Sequence, residues 1–249
     1  MKRLIGAMVA AISLVALAGS AIAAKEKSQL AVKVDPAFWE KPLNKIGLLG
    51  ISYPISNDAM MAEIVPDLIN GTLQDQGEFT LLYPDDIRMA AERGGFKQAY
   101  DTLIRVWLSR GEIDPPSLAT VQAAVGLDAI VGVELTHWEQ HKLDFSEEGY
   151  STTTVGLRSR LWSVSDRILL WEASLVKVGK SPPYDPSGSS ASDASGTSRQ
   201  TVKTVPDPPK YEDIAEDVVL EVIGSYPKPE DKDRLTREAK KKKKKEAGR

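Results

Sequence analysis

Two histidines and a carboxylate within five positions are the residues of this chain most able to do chemistry together. His137, Glu139 and His141 alternate along the sequence, so in an extended strand their side chains point to the same side. Imidazole nitrogens and a carboxylate oxygen are ligands that zinc accepts. Their order, H-x-E-x-H, is not the helical H-E-x-x-H of metalloproteases, and the alternative is a solvated strand end. The spacing therefore predicts a candidate metal site and, with it, one candidate enzymatic function.

A second candidate set lies on the segment Thr153–Val164, in which polar and apolar residues alternate. Arg158, Arg160 and Trp162 share one face of this predicted strand. Tryptophan and arginine are enriched at the centres of protein interfaces, so the face is a candidate partner-binding surface. The alternative is that a helix covers the face and pairs acidic residues with the arginines. The last predicted helix offers three such acids, Glu216, Asp217 and Glu221.

The strand that positions the histidines is the clearest structural signal in the chain. Residues 126–140 read GLDAIVGVELTHWEQ, and residues 129–133 of this run are apolar at both odd and even positions. A strand that is apolar on both faces is typical of one buried between two layers. Because Gly126 ends a predicted helix immediately before it, the pattern indicates an α/β sandwich with this strand near the middle of the sheet.

The other predicted elements alternate between strands and helices before a final hairpin. A helix kinked at Pro66, or starting late there, is expected between the first two strands. In order, the predicted elements are the strand Lys45–Tyr53, a helix over about 58–75, the strand Phe79–Leu82, helices over 85–92, 96–110 and 118–125, the central strand, a hairpin of 153–164 with 168–178, and the helix Tyr211–Ile223.

The beginning of the chain has the pattern of a secretory signal. Lys2 and Arg3 precede the apolar run Leu4–Ala18, and small residues that suit a cleavage site follow at Ala21 and Ala23. The alternative is an uncleaved membrane anchor. The predicted organisation is a signal peptide at 1–24, a polar lead-in at 25–44, one α/β domain at 45–225 with a disordered Ser- and Pro-rich loop at 181–209, and a basic disordered tail at 226–249.

Composition narrows the classes of function. The chain has no cysteine, which excludes disulfides, thiolate metal sites, cysteine nucleophiles and acylation at a lipobox cysteine. The body from Lys25 to Pro227 carries 19 basic and 30 acidic residues, which argues against nucleic acid as its ligand. No cofactor is predicted.

The tail is predicted either to contact an anionic surface or to be a passive solvated segment. It contains six consecutive lysines, Lys240, Lys241, Lys242, Lys243, Lys244 and Lys245.

Three stretches resemble a group of bacterial envelope proteins. The first is KIGLLGISY before an amphipathic helix, the second is GLDAIVGVEL, and the third is the hairpin LWSVSDRILLWEAS. Together they resemble the curli-secretion (CsgG-like) and penicillin-binding-protein-activator (LpoB-like) proteins and the amino-terminal domain of TolB. Asp166, Leu170 and Trp171 fall on the hairpin pattern of that group, whereas Arg167 replaces its usual Thr-Gly turn. The resemblance spans roughly Lys45 to Ser225.

The resemblance implies a mixed central β-sheet with helices on both faces and a C-terminal hairpin followed by a helix. It also implies no catalysis. The expected function is that of a periplasmic scaffold, adaptor or activator of another envelope protein. The alternatives are the metal enzyme described above and a homo-oligomeric component of a secretion pore. Because the lipidated cysteine of many members is missing, the expected location is the periplasm, with outer-membrane association as the alternative.

Overall fold

The computed structural model describes residues 29–53, 59–74, 76, 79–186, 204–234 and 237, with the backbone alone for 59–64. The predicted signal peptide, the six lysines and the middle of the predicted 181–209 loop lie outside the described residues. The strands are β1 (Ala31–Val34), β2 (Lys45–Ser52), β3 (Thr80–Leu82), β4 (Ala129–His141), β5 (Thr152–Ser163) and β6 (Leu169–Lys180). The α-helices are α1 (Ala59–Gln74), α2 (Pro84–Gly94), α3 (Lys97–Arg110), α4 (Pro115–Val125) and α5 (Tyr211–Gly224), and a short 3-10 helix covers Pro36–Trp39.

The six strands form one mixed sheet in the order β1-β6-β5-β4-β2-β3. Strands β2, β3 and β4 run parallel to one another, whereas β4, β5, β6 and β1 follow one another in antiparallel pairs. The prediction that residues 126–140 contain a central strand is confirmed, because β4 lies between β2 and β5. The predicted mixed α/β fold is confirmed with it.

Helices cover the sheet on both faces and divide the core into two layers. On one face, α1 and α5 pack against Val131, Leu135 and Leu157. On the other face, α2, α3 and α4 pack against Leu49 and Ile130. Alternate residues of the buried strands therefore pack into two separate cores, as expected for a sheet with both faces covered.

The step from α4 into β4 depends on the Gly-x-Asp sequence. Gly126 ends α4 with φ of 72°, a left-handed conformation that glycine adopts without steric cost. The Asp128 carboxylate then accepts hydrogen bonds from the backbone N–H groups of Asn44 and Lys45, each at 2.9 Å. One short motif therefore ends a helix, begins the central strand and aligns the start of β2 beside it.

Two details differ from the sequence-based expectation. Helix α1 begins at Ala59 and contains Pro66, so the predicted late start at this proline is wrong. In β4, the register against β5 shifts between Leu135 and His137, which leaves Thr136 as the extra residue of a bulge. The bulge reverses the alternation, so Trp138 rather than His137 is buried, and it stacks on Tyr211 of α5.

The described ends of the segment 181–209 are held by hydrogen bonds. Ser181 N donates to Ser151 O at 2.9 Å, and Tyr184 N donates to Gly149 O at 2.8 Å. At the other end, Ser151 Oγ donates to Pro206 O at 2.7 Å. The disorder predicted for the whole of residues 181–209 stays a prediction, and residues 187–203 lie outside the described part of the chain. None of the described helices combines the length and the apolar character needed to cross a membrane.

Candidate functional site

The three candidate metal ligands lie on the outer end of β4 and do not converge. Glu139 and His141 are exposed, and His137 lies against Gly156 of β5 with its Nδ1 atom 3.1 Å from Thr136 Oγ1. Because a strand rises about 3.4 Å per residue, His137 and His141 are about 14 Å apart along β4. Ligands of one zinc ion lie about 2 Å from it. In the described part of the chain, no three His, Cys, Asp or Glu side chains are grouped so that they could hold a metal ion.

The predicted grouping of Arg158, Arg160 and Trp162 on one face is confirmed by the β4–β5 register. These residues lie opposite Glu134, Gly132 and Ile130, respectively. Glu134 accepts a hydrogen bond from Arg160 at 2.9 Å and one from Arg158 at 3.4 Å. The arginines are therefore paired across the sheet by a strand residue.

The alternative in which α5 supplies the acidic partners is wrong. Helix α5 packs on the opposite face of β5 and β6, where Asp217 and Glu221 accept hydrogen bonds from Lys177 Nζ at 2.7 and 3.3 Å. Sequence periodicity identified the acidic face of this helix, but it could not tell which layer the helix would join.

Arg160 is held through one nitrogen of its guanidinium group and by two indole rings. Besides Glu134, it donates a hydrogen bond to Gly111 O at 2.8 Å. Its Cζ atom lies 5.4 Å from the ring centre of Trp107 and 5.2 Å from that of Trp162, within the range of cation–π contacts. Burial lowers the pKa of Arg160, while the Glu134 charge acts in the opposite direction.

Trp107 can reach the centre of the sheet because residue 132 is a glycine. A Cβ atom at Gly132 would lie 2.5 Å from the Trp107 ring, so any larger residue would displace it. The fully buried Trp107 also donates its indole N–H to Gly50 O at 3.0 Å. Helix α3 then ends at Gly111 with φ of 64°, which brings the Gly111 carbonyl to Arg160. Local backbone geometry thus positions the arginine.

An open cavity of about 410 Å³ adjoins this cluster, between the α3–α4 connection and the β5–β6 turn. We call it the Arg–Trp cavity. Its lining is Gly111, Glu112, Ile113, Pro115, Leu118, Arg160, Trp162, Ser163 and Arg167. The lining combines an indole ring and apolar side chains with two guanidinium groups and one carboxylate. Such a mixture suits the binding of a side chain or chain end that is partly apolar and negatively charged.

Arg167 supplies the second guanidinium group of this cavity, and the site prediction did not include it. It occupies the turn between β5 and β6 with φ of 57°, and it is the one described non-glycine residue with a positive φ. The sequence did contain a signal, because Arg167 stands where the resembling family has a Thr-Gly turn. A non-glycine residue in a left-handed conformation is uncommon and is a reason to examine the position for function.

The turn that presents Arg167 is held in place from outside the hairpin. The Asp166 carboxylate accepts hydrogen bonds from Lys41 Nζ at 2.8 Å and from Ser163 Oγ at 3.0 Å. These bonds, that of Lys41 first, lower the pKa of Asp166. The backbone closes the turn through Arg167 N, which donates to Ser163 O at 3.1 Å. Arg167 therefore projects from a defined loop.

The fold and this site define the class of protein as an αβα sandwich with a mixed sheet and a charged aromatic cavity at one end of its antiparallel half. No protein-family model matches the sequence, and no curated protein matches it.

Several solved structures are similar to this chain in fold. PelC from Paraburkholderia phytofirmans, a dodecamer, is 10% identical, with 78% of this chain and 96% of that chain covered at a TM-score of 0.41. The C-terminal domain of LpoB from Salmonella enterica is 14% identical, with 54% and 82% covered at a TM-score of 0.34. TolB from Acinetobacter baumannii is 13% identical, with 60% and 26% covered at a TM-score of 0.28.

LpoB and TolB, two of the three groups named from the sequence, thus appear among the structural neighbours, and the likeness to curli-secretion proteins stays a prediction. Similarity at these TM-scores says nothing about what this chain binds. Its function has to follow from its own residues.

Proposed function

We propose that this chain is an exported, non-catalytic protein that binds another protein of the cell envelope through the Arg–Trp cavity. The observation that carries the proposal is the cavity itself. Trp162 forms its wall, Arg160 is immobilised beneath it, and exposed Arg167 stands at its edge in a fixed turn. Interfaces depend most on aromatic and arginine residues that are held rigidly around a pocket.

The two arginines have different roles in this proposal. Arg160 is engaged by Glu134 and Gly111 O, so it shapes the cavity and holds Trp162 in place. Arg167 is exposed and free to meet a carboxylate of the partner. The partner group expected here is an acidic side chain or carboxyl terminus next to an apolar residue that contacts Trp162.

The proposed location of the protein rests on its sequence. The pattern of residues 1–24 supports export, and the periplasm is the proposed compartment. The basic tail that contains Lys240–Lys245 is proposed to contact an anionic surface such as a membrane face, which would keep the domain close to envelope partners.

Co-purification from envelope extracts tests the proposal. Tagged wild-type protein is expected to retain an envelope protein that the Arg167→Asn variant retains less. Asparagine tolerates a positive φ, so this change removes the charge while the turn keeps its shape. The matched control is Arg93→Gln, which removes an exposed arginine of α2 outside the cavity. The same proteins in equal amounts from all three samples would reject the Arg–Trp cavity as the binding site.

A further inference from the structure

Strand β6 is much longer than the strand that covers its outer edge. β1 pairs with residues 171–174, whereas β6 continues to Lys180. Along residues 175–180, no strand within the described ranges pairs with β6 on that side. Every second residue of this stretch directs its peptide N–H and C=O groups outward, as in any antiparallel edge. Among the described residues, β6 therefore has an open edge about six residues long.

Apolar side chains are exposed along this edge on both faces of the sheet. Val176 and Val178 are 37% and 46% exposed on the face of the sheet that carries α2, α3 and α4, at an end of β6 that these helices do not cover. Leu220 of α5 is 52% exposed on the opposite face. It lies beside Asp217 and Glu221 on the helix, and both of these reach Lys177 of β6, so Leu220 stands over the same margin.

The lysines of the edge do not block it. Natural proteins often protect an open edge with lysines that extend into solvent. Here Lys177 is bound by Asp217 and Glu221 of α5, and Lys180 Nζ lies over the Tyr150 ring at 5.2 Å. Both ammonium groups are turned back onto their own chain. The peptide groups between them are thus left accessible to another strand.

We propose that the open edge of β6 binds a second copy of this chain, with the two β6 strands pairing antiparallel about a twofold axis near Val178. An antiparallel edge is its own complement, so no other surface is required. The valines of both copies meet on one face, and the Leu220 side chains approach each other on the opposite face. Lys177 of each copy stays paired with Asp217 and Glu221 of its own chain.

A second copy suits the edge better than the chain's own amino-terminal segment does. The β1–β6 register, in which Ala31 lies opposite Ser174, would put Gln29 opposite Val176 if β1 continued. Gln29 and Leu30 are described, and they are exposed and outside the strand. The chain therefore leaves the ladder where the open edge begins.

Measurement of the molar mass of the purified protein over a range of concentrations tests this proposal. A dimer is expected. Val178→Glu, which sets like charges at the axis, is expected to raise its dissociation constant by about tenfold or more. Met89→Glu is the control, because Met89 is 41% exposed on α2, away from the edge. A wild-type protein that is monomeric throughout, or a dimer equally affected by both variants, would overturn the proposal.

Crosslinking gives a second readout, and the absence of native cysteine makes it specific. Oxidation of Val178→Cys is expected to give a covalent dimer, whereas Leu108→Cys, at a position 41% exposed on α3, is expected to stay monomeric. A chain with both Gln29→Cys and Val176→Cys that forms an internal disulfide would instead show that its own segment fills the edge. The pairing is independent of the Arg–Trp cavity, so Val178→Glu should leave co-purification of a partner unchanged.

Discussion

Arg160 connects three segments of the chain that are distant in sequence: β5, β4 through Glu134, and the end of α3 through Gly111. Its side chain and that of Glu134 are 18% and 15% exposed. Removing one partner of a charge pair at this depth destabilises the protein, because the remaining charge is left poorly solvated. Stability and the shape of the Arg–Trp cavity thus depend on the same contact.

Neutralising Glu134 is expected to destabilise the protein. In Glu134→Gln the amide keeps the shape of the side chain but no longer balances the charges of Arg158 and Arg160. The free energy of unfolding should fall by about 1 to 2 kcal/mol, as measured by urea unfolding. Glu139→Gln, at an exposed position further along β4, is the control and should change it by less than about 0.5 kcal/mol. Equal losses of unfolding free energy in the two variants would show that the charge pair of Glu134 with the arginines does not stabilise the protein.

Two glycine-to-alanine substitutions are expected to have opposite effects. In Gly132→Ala the new methyl group would overlap the fully buried Trp107 ring. The free energy of unfolding should therefore fall by about 2 kcal/mol. In Gly71→Ala the methyl group has open space on α1. The higher helix propensity of alanine should therefore raise the free energy of unfolding by about 0.5 to 1 kcal/mol. Thermal unfolding compares the two. A stable Gly132→Ala protein would mean that Trp107 does not pack on β4 as described.

At the scale of elements, two aspartates fix the loops on either side of the cavity. Asp114 caps α4 by accepting a hydrogen bond from Ser117 N at 3.0 Å. Asp166 holds the β5–β6 turn through Lys41. Both pKa values are lowered from the ordinary value of 3.8, that of Asp114 by its hydrogen bonds with Ser117 and that of Asp166 first by its bond with Lys41. The charged form of each carboxyl group is therefore the one that stabilises the fold.

These lowered pKa values predict that the melting temperature falls in acid. A carboxyl group with a lowered folded-state pKa adds stability above its unfolded-state pKa and loses this contribution as the pH falls through the folded-state value. The loss is therefore expected below about pH 4. Asp166→Asn should have a lower melting temperature at neutral pH and a weaker acid dependence, whereas Asp67→Asn, an exposed residue of α1, should match wild type. An unchanged acid dependence in Asp166→Asn would show that the Lys41 bond is not formed in solution.

Most elements could be predicted because their signals are local. The apolar run before Glu134, the Gly126 stop and the alternation around Arg158 each depend on a few neighbouring residues, and the structure agrees with them. The bulge at Thr136 could not be predicted, because the alternation on either side of it is regular. The layer that α5 joins could not be predicted either, since an amphipathic helix fits equally well on both faces of a sheet.

Only part of the candidate site could be predicted, again because sequence patterns report local structure. The sequence placed Arg158, Arg160 and Trp162 on one face, because alternation along a strand is sufficient for that. Their partners Glu134 and Gly111 lie 26 and 49 residues from Arg160, and no local pattern links residues over such distances. Metal binding by His137, Glu139 and His141 stays a prediction, and their regular spacing separates these side chains along β4.

At the scale of the whole molecule, the charge of the cavity contrasts with that of the body around it. The body from Lys25 to Pro227 has 30 acidic and 19 basic residues, yet the cavity contains Arg160 and Arg167 with one carboxylate, Glu112. An acidic partner group would thus be attracted locally and repelled elsewhere, which favours one docking orientation. The open edge of β6 lies at the other end of the antiparallel strands, so both surfaces can be occupied together.

The most direct test of the central claim is site-specific photo-crosslinking in cells, with a photoreactive residue at position 167 or, as a control, at position 108 of α3. Crosslinked species would be identified by mass spectrometry. One envelope protein is expected to be attached reproducibly from position 167 and not from position 108. If position 167 yields no crosslink, or the same species as position 108, the Arg–Trp cavity is not the surface through which this protein binds a partner.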